Sequence, residues 1–218
     1  MTKTDIINNL IERYGYTSYL EIGLDTGIEY SKIVCKNKES VDPYIQEDHD
    51  VYDMRFNGEL PETVKAMLTY RMTSDEFFAQ NEKKYDIILI DGLHEQQQVA
   101  RDIINSLNVL TDNGTIVVHD CLPGNERMQI VPRISASWNG DVWKGVAELM
   151  KQDLVMNVID TDWGVGIIRK QDNKNACIRL PEKSELTWQD FMENRNTLMH
   201  VISEQEFVSK YIDTDDCD

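Results

Sequence analysis

Two apolar runs that each end in acid fix most of what this chain can become. Tyr85 to Ile90 follows a charged turn and stops at Asp91-Gly92; Thr115 to Val118 stops at His119-Asp120. Short apolar runs of this kind read as strands covered on both faces. Between them Val99, Ile103, Ile104, Leu107 and Leu110 recur at helical spacing over residues 96–110, and Asp112-Asn113-Gly114 closes that helix. Two buried strands joined by a helix must lie parallel, because a parallel pair needs a long crossover. The spacing therefore predicts an α/β chain built on a doubly wound sheet.

The stretch Tyr19 to Gly27 supplies a second such unit. Tyr19, Leu20 and Ile22 make a short strand carrying Glu21; Gly23 and Gly27 bracket a tight loop; residues 28–34 run on as a helix. Glycines at that junction let backbone N–H groups approach a ligand closely. The spacing is G-x-x-x-G, without the middle glycine of the dinucleotide fingerprint, which favours a ligand with a carboxylate and a ribose over a pyrophosphate. Asp42 lies 21 positions after Glu21 in a very short second strand that Pro43 stops. An acid there grips ribose hydroxyls.

The remaining elements follow in order. Residues 2–14 form an amphipathic helix with Ile6, Ile7, Leu10 and Ile11 on one side and Thr4 or Asp5 as its cap. The acidic run Glu47 to Asp50 reads as a solvated loop, residues 60–70 as a helix, and 68–72 as a third strand. Thr73-Ser74-Asp75 caps a helix through Phe77 and Phe78. A helix is predicted over 138–151. Residues 154–159 and 165–169 are strands joined by too few residues for a crossover, so they pair antiparallel. Residues 187–212 read as helical. The division is a domain over 1–170 and a helical extension over 171–218 that packs, acts as a lid or makes a homodimer.

Composition narrows the function classes. A chain of 218 residues with 41% hydrophobic content holds a sizeable core. Its net charge of −17 disfavours a nucleic-acid backbone and anionic lipid as partners. Cys35, Cys121, Cys177 and Cys217 are scattered and read as reduced thiols; with no apolar signal core, a cytoplasmic protein is expected.

In this order YLEIGLDTG (19–27), VDP (41–43), MTSDEFF (72–78), YDIILIDGLH (85–94), GTIVVHDCLP (114–123) and WNGDVWKGV (138–146) resemble the class I S-adenosylmethionine-dependent methyltransferases, and more narrowly methyltransferase family 24. The resemblance covers roughly 17–170. It implies a Rossmann-like, mostly parallel sheet of seven strands whose last strand is antiparallel, and S-adenosylmethionine as cofactor. Glu21, Gly23 and Gly27 would meet the methionine end, Asp42 the ribose, and Ser74 and Asp75 the adenine. Asp91 is a further cofactor contact, to the amino group. The segment after the second strand departs from the class in its spacing.

Asp91 and Asp120 end neighbouring buried strands, so both face the crevice at the carboxyl edge of the sheet. Carboxylates brought close without a cation repel. A divalent ion resolves that conflict, and oxygen ligands with retained water suit Mg²⁺; His119 or water fills a further position, nitrogen tilting the preference toward Mn²⁺ or Zn²⁺. The alternative is a metal-free site where Asp91 holds the cofactor and Asp120 caps the loop after it. His94 beside Asp91 is suited to take a substrate proton. By resemblance Trp143 and Lys144 start a helix under the substrate pocket; by packing they are a core tryptophan and a solvated lysine. The expected reaction is methyl transfer to a small hydroxylated or saccharide acceptor. A non-catalytic cofactor- or nucleotide-binding module and a nicotinamide-dependent oxidoreductase stay open.

Overall fold

The computed structural model describes residues 1–43 and 61–213. The predicted loop at Glu47 to Asp50, and His49 and Cys217 with it, lie outside the described residues. Helix α1 (Lys3–Tyr14) precedes β1 (Ser18–Ile22), α2 (Ile28–Lys32) and β2 (Asn37–Val41). After α3 (Glu62–Met67) and α4 (Ser74–Gln80) come β3 (Tyr85–Ile90), α5 (Gln96–Val109) and β4 (Leu110–Val118). The chain then forms α6 (Val142–Met150), the pair β5 (Asn157–Ile159) and β6 (Val165–Arg169), α7 (Trp188–Leu198), β7 (Val201–Ile202) and α8 (Glu204–Phe207).

Among the described residues seven strands make one sheet in the order β2-β1-β3-β4-β6-β5-β7. Only β6 runs against its neighbours: it lies antiparallel between β4 and β5, as the short connector demands. Alternation along the central strands sends Ile88 and Ile90 to one face and Ile87 and Leu89 to the other. The first face meets Val99 and Ile103 of α5, Trp143 and Val146 of α6, and Phe191 of α7. The second meets Ile6, Ile7 and Leu10 of α1, with Phe207 and Tyr211 from the end of the chain. Both faces are covered, so the sheet is doubly wound. This is the Rossmann-like arrangement expected from the strand pattern.

Several local features differ from the sequence reading. The cap of α1 is Thr2, which shares a reciprocal capping box with Asp5; Thr4 is buried and donates to Glu29 at 2.6 Å. The third strand shrinks to a single bridge, with Tyr70 donating to Ser40 O at 2.9 Å and accepting from Asp42 N at 3.1 Å. The run over 187–212 is not one helix. It breaks at Met199–Ser203, where β7 pairs parallel to β5, and Asp160 N donates to Ile202 O at 2.9 Å. The break satisfies backbone groups of β5 that would otherwise face outward unpaired. No helix among the described residues is long and apolar enough to cross a membrane. Cys35, Cys121 and Cys177 are free thiols.

Candidate active site

The crevice opens where β1, β3 and β4 end. Gly23 leaves β1 with φ at +93°, and a Cβ there would stand 2.2 Å from the carbonyl oxygen of Asp91. Only glycine lets the β1 loop lie this close to the end of β3. Gly27 has φ at +70°, and a Cβ would meet the Met67 methyl. The loop between them is held by Asp42, whose Oδ2 accepts from Leu24 N at 2.9 Å and Asp25 N at 3.4 Å. Glu21 is buried and accepts from the Tyr19 hydroxyl. Burial pushes its carboxyl up to about 8, and the nearby Asp91 charge adds to that.

Asp91 is the centre of the second group. Lys3, from the first turn of α1, donates its ammonium to Asp91 Oδ2. His119 Nδ1 lies 3.2 Å from Asp91 Oδ1 and 3.3 Å from Asp120 Oδ2. His94 Nε2 lies 3.5 Å from Asp91 Oδ1 and 3.4 Å from Asp120 Oδ2. Asp120 holds a left-handed backbone with φ at +60°, and its Oδ1 accepts from Asn139 at 2.6 Å. Asp162 closes the rim: its Oδ2 accepts from Lys3 N at 2.7 Å and stands 3.7 Å from His119 Nε2, a buried nitrogen without a hydrogen-bond partner.

Burial alone would raise Asp91, but the charges of Lys3 and His119 outweigh it and hold that carboxyl well below the usual range. Burial would lower both imidazoles. For His94 the hydrogen bond to Asp91 and the field of Asp120 win, and its value is raised. For His119 the Asp91 charge wins by more. His94 Nδ1 lies 3.1 Å from Trp138 O, the geometry of donation to that carbonyl. Its Nε2 is then the nitrogen that faces the acids and exchanges a proton.

The motif WNGDVWKGV contributes through its first half. The Trp138 ring stacks on His94 at 5.2 Å, and Asn139 holds Asp120. Gly140 passes so close that a Cβ would overlap the His94 carbonyl oxygen. Asp141 accepts from Gln96 N and from its side-chain amide, both at 2.7 Å, and so caps α5, whose own Glu95 makes no side-chain cap. These contacts delay the helix to Val142 rather than Trp138. Trp143 is corrected as a substrate contact: it is fully buried, its N–H donates to Gln129 at 2.8 Å, and its ring packs on Phe191 at 4.8 Å. Lys144 sits over the Trp143 ring and its charge acts on Asp190, away from the acid cluster.

Ser74 and Asp75 belong to a separate network. Gln98 donates to Ser74 Oγ at 3.0 Å and Asp75 Oδ1 at 3.2 Å, and Arg101 pairs with Asp75 at 3.4 Å. None of their hydrogen bonds reaches Asp91. Beside them Asp102 is buried, and that burial raises its carboxyl to about 6.

Sequence reasoning missed Lys3, Asp162 and Asn139. Lys3 looks like an ordinary polar residue at a helix start, and its signal lies only in where α1 begins. That start is over the carboxyl edge of the sheet.

Donor atoms of Asp91, His94 and Asp120 all lie within 4.8 Å of one another. Two carboxylates and an imidazole satisfy a divalent ion in number and chemistry. The position of Lys3 does not, since its ammonium already holds Asp91 Oδ2 and sets a second positive charge against any ion bound there. With that side chain in place, the arranged residues do not fit a resident ion.

The strand order and the crevice at its carboxyl edge are those of a Rossmann-like α/β fold. Residues 20–121 match a family model described as a methyltransferase domain. The match runs from Leu20 to Cys121, so the end of β1, the glycine loop, Asp91 and Asp120 fall within it. Among solved structures, a candidate caffeoyl-CoA O-methyltransferase from Staphylococcus aureus is 18% identical, with a TM-score of 0.51 over 76% of this chain and 81% of that one. The S-adenosylhomocysteine-bound methyltransferase PaMTH1 of Podospora anserina is 17% identical, with a TM-score of 0.51 over 77% of each chain. At these identities the likeness is one of fold. No curated protein matches the sequence.

Proposed function

We propose that this domain transfers the methyl group of S-adenosylmethionine to an oxygen of a small hydroxylated or saccharide acceptor held in the crevice between Asp91, His94 and Asp120. The observation that carries the reading is the joining of two features at one sheet edge. The Gly23–Gly27 loop, too tight for any side chain at Gly23, abuts a largely buried group of two acids and two imidazoles. When bound, S-adenosylmethionine supplies an electrophilic methyl group on a sulfonium and departs as S-adenosylhomocysteine.

The residues fit that cofactor on a specific point. Glu21 is buried with its carboxyl raised to about 8, the state of an acid short of positive charge. A ligand carrying an ammonium and a sulfonium relieves that shortage. In this reading Glu21, Gly23 and Gly27 face the methionine end and Asp42 the ribose. Ser74 and Asp75 mark the adenine side, at the start of α4.

The chain's own work is positioning and proton removal. As the acceptor oxygen takes up the methyl group that bound S-adenosylmethionine would supply, its proton would pass to His94 Nε2. That nitrogen must be unprotonated at the start, so the raised value of His94 makes the reaction favour alkaline conditions. Asp91 and Asp120 orient the imidazole and stabilise it once charged. A charge of −17 argues for a neutral or cationic acceptor and against nucleic acid.

Calorimetric titration of the full chain with S-adenosylmethionine and with NAD⁺ tests the reading. Micromolar binding of the first alone is expected. Binding of NAD⁺ alone would favour an oxidoreductase, and silence toward both in folded protein would leave the glycine loop a structural turn.

A further inference from the structure

We infer that Lys3 is the resident cation of this crevice: its ammonium takes the charge-balancing place at Asp91 that a divalent ion would otherwise fill, so the site works without metal. The inference concerns the same crevice as the methyl-transfer reading and rests on it only for the reaction served.

Three observations converge on Lys3. Its ammonium donates to Asp91 Oδ2 and lies 3.5 Å from His119 Nδ1, with the side chain only 15% exposed. The backbone that carries it is pinned. Lys3 N donates to Asp162 Oδ2 at 2.7 Å, and the Thr161 hydroxyl donates to Met1 O at 2.6 Å. Asn139 already satisfies the far oxygen of Asp120. Lys3 is therefore a fixed member of the cluster, and not a surface lysine that happens to reach it.

The charges around it explain why one fixed cation suffices. The carboxylates facing the ammonium are Asp91, Asp120 and Glu21, with Asp162 at its backbone. The fixed cation among them is the Lys3 ammonium, and the imidazoles of His119 and His94 each lie within 3.5 Å of a carboxylate oxygen. Adding a divalent ion at Asp91 places two positive centres on one carboxylate. Their repulsion in a largely buried site works against the ion. Lys3 touches no reacting atom and acts through Asp91, which makes it a positioning residue.

The test is metal uptake by the full chain, with Mn²⁺ as probe, read by loss of the free-ion electron paramagnetic resonance signal. Wild type, Lys3→Met and Lys3→Arg are compared, with circular dichroism to show that each is folded. Lys3→Met keeps the length and packing of the stem and removes only the charge. It is expected to bind one Mn²⁺ at Asp91, His94 and Asp120 with an affinity raised about 100-fold or more. Wild type and Lys3→Arg, which both keep the cation, are expected to leave Mn²⁺ free. Where Lys3→Met does not fold, Lys3→Gln takes its place.

Stoichiometric uptake by wild type at micromolar Mn²⁺ overturns the inference. So does a folded, charge-free variant that binds no better than wild type. An S-adenosylmethionine titration on the same samples keeps the two ideas apart. Its failure removes the methyl-transfer reading while the Mn²⁺ comparison still decides the role of Lys3.

Discussion

Glu21→Gln is the sharpest perturbation the site offers. The carboxyl is buried at the end of β1, accepts from the Tyr19 hydroxyl, and is raised from 4.5 to about 8, first by burial and further by Asp91. The unfolded chain ionises this group near 4.5, while the folded chain holds its proton to about 8. Between those values the folded state binds more protons than the unfolded state, so stability falls as pH rises through the window and is fully kept below it. The full shift, in which the opposing charges of Lys3 and Lys38 already count, corresponds to about 5 kcal/mol as an upper bound, and the high effective dielectric of real buried sites makes about 2–4 kcal/mol the working expectation. In a chain of this size that amounts to roughly 5–15 °C in melting temperature. Glutamine keeps the shape and an acceptor for Tyr19 but cannot ionise. Melting curves of wild type and Glu21→Gln at pH 5.5 and pH 8.5 should therefore diverge on the alkaline side, with the variant the more stable there. Parallel pH dependences in the two proteins would refute the burial argument. The same proton gives a second readout. A cationic ligand that ionises Glu21 displaces it, so calorimetry of S-adenosylmethionine near neutral pH should show a buffer-dependent heat that the variant lacks.

Other perturbations test neighbouring parts. Gly23→Ala forces a Cβ to within 2.2 Å of the Asp91 carbonyl oxygen at a left-handed backbone position, so it should cost about 3 kcal/mol or more in urea unfolding and abolish S-adenosylmethionine binding. Asp141→Ala strips two 2.7 Å hydrogen bonds from buried Gln96 and should destabilise by about 3 kcal/mol, measured by the same unfolding. His94→Gln should lower single-turnover methyl transfer by about 10²–10⁴-fold while leaving cofactor affinity within about twofold. In wild type that rate should rise with pH through a midpoint above 6.5, since His94 is raised; a flat profile would point to another base.

Much of the fold was legible because the decisive strands are buried on both sides. Ile87 to Ile90 and Ile116 to Val118 carry their sheet position in their composition, and the short link between 159 and 165 forces antiparallel pairing. Asp91, His94, His119 and Asp120 were legible for the same reason: a residue that ends a central strand must face the crevice. What was not legible depends on contacts across long stretches of chain. Nothing local tells that Met199–Ser203 leaves the helix to cover the edge of β5. Nothing local separates Trp138, which stacks on His94, from Trp143, which fills the core, since both are tryptophans in one motif. Lys3 is the extreme case. Its role depends on the whole domain folding so that the start of α1 arrives over β3.

The turn at residues 160–164 is where distant parts of the chain meet. Asp160 N reaches the tail strand at Ile202, Thr161 and Asp162 hold the start of α1, and the carbonyls of Trp163 and Gly164 accept from Leu122 and Cys121 just beyond Asp120. The hydrogen bonds to Met1 and Lys3 span sequence separations of 160 and 159 residues. Contacts of that range form late, because closing so large a loop costs entropy before any contact repays it. During synthesis the Gly23–Gly27 loop and β3 can be in place while the crevice still lacks its lysine contact and its rim. A fragment cut to residues 20–121 would hold the family's signature and both strand-end acids, yet lack Lys3, Asn139 and Asp162. Such a piece would be a sheet edge with exposed acid, and the chemistry of this protein belongs to the closed ring of chain rather than to the matched segment.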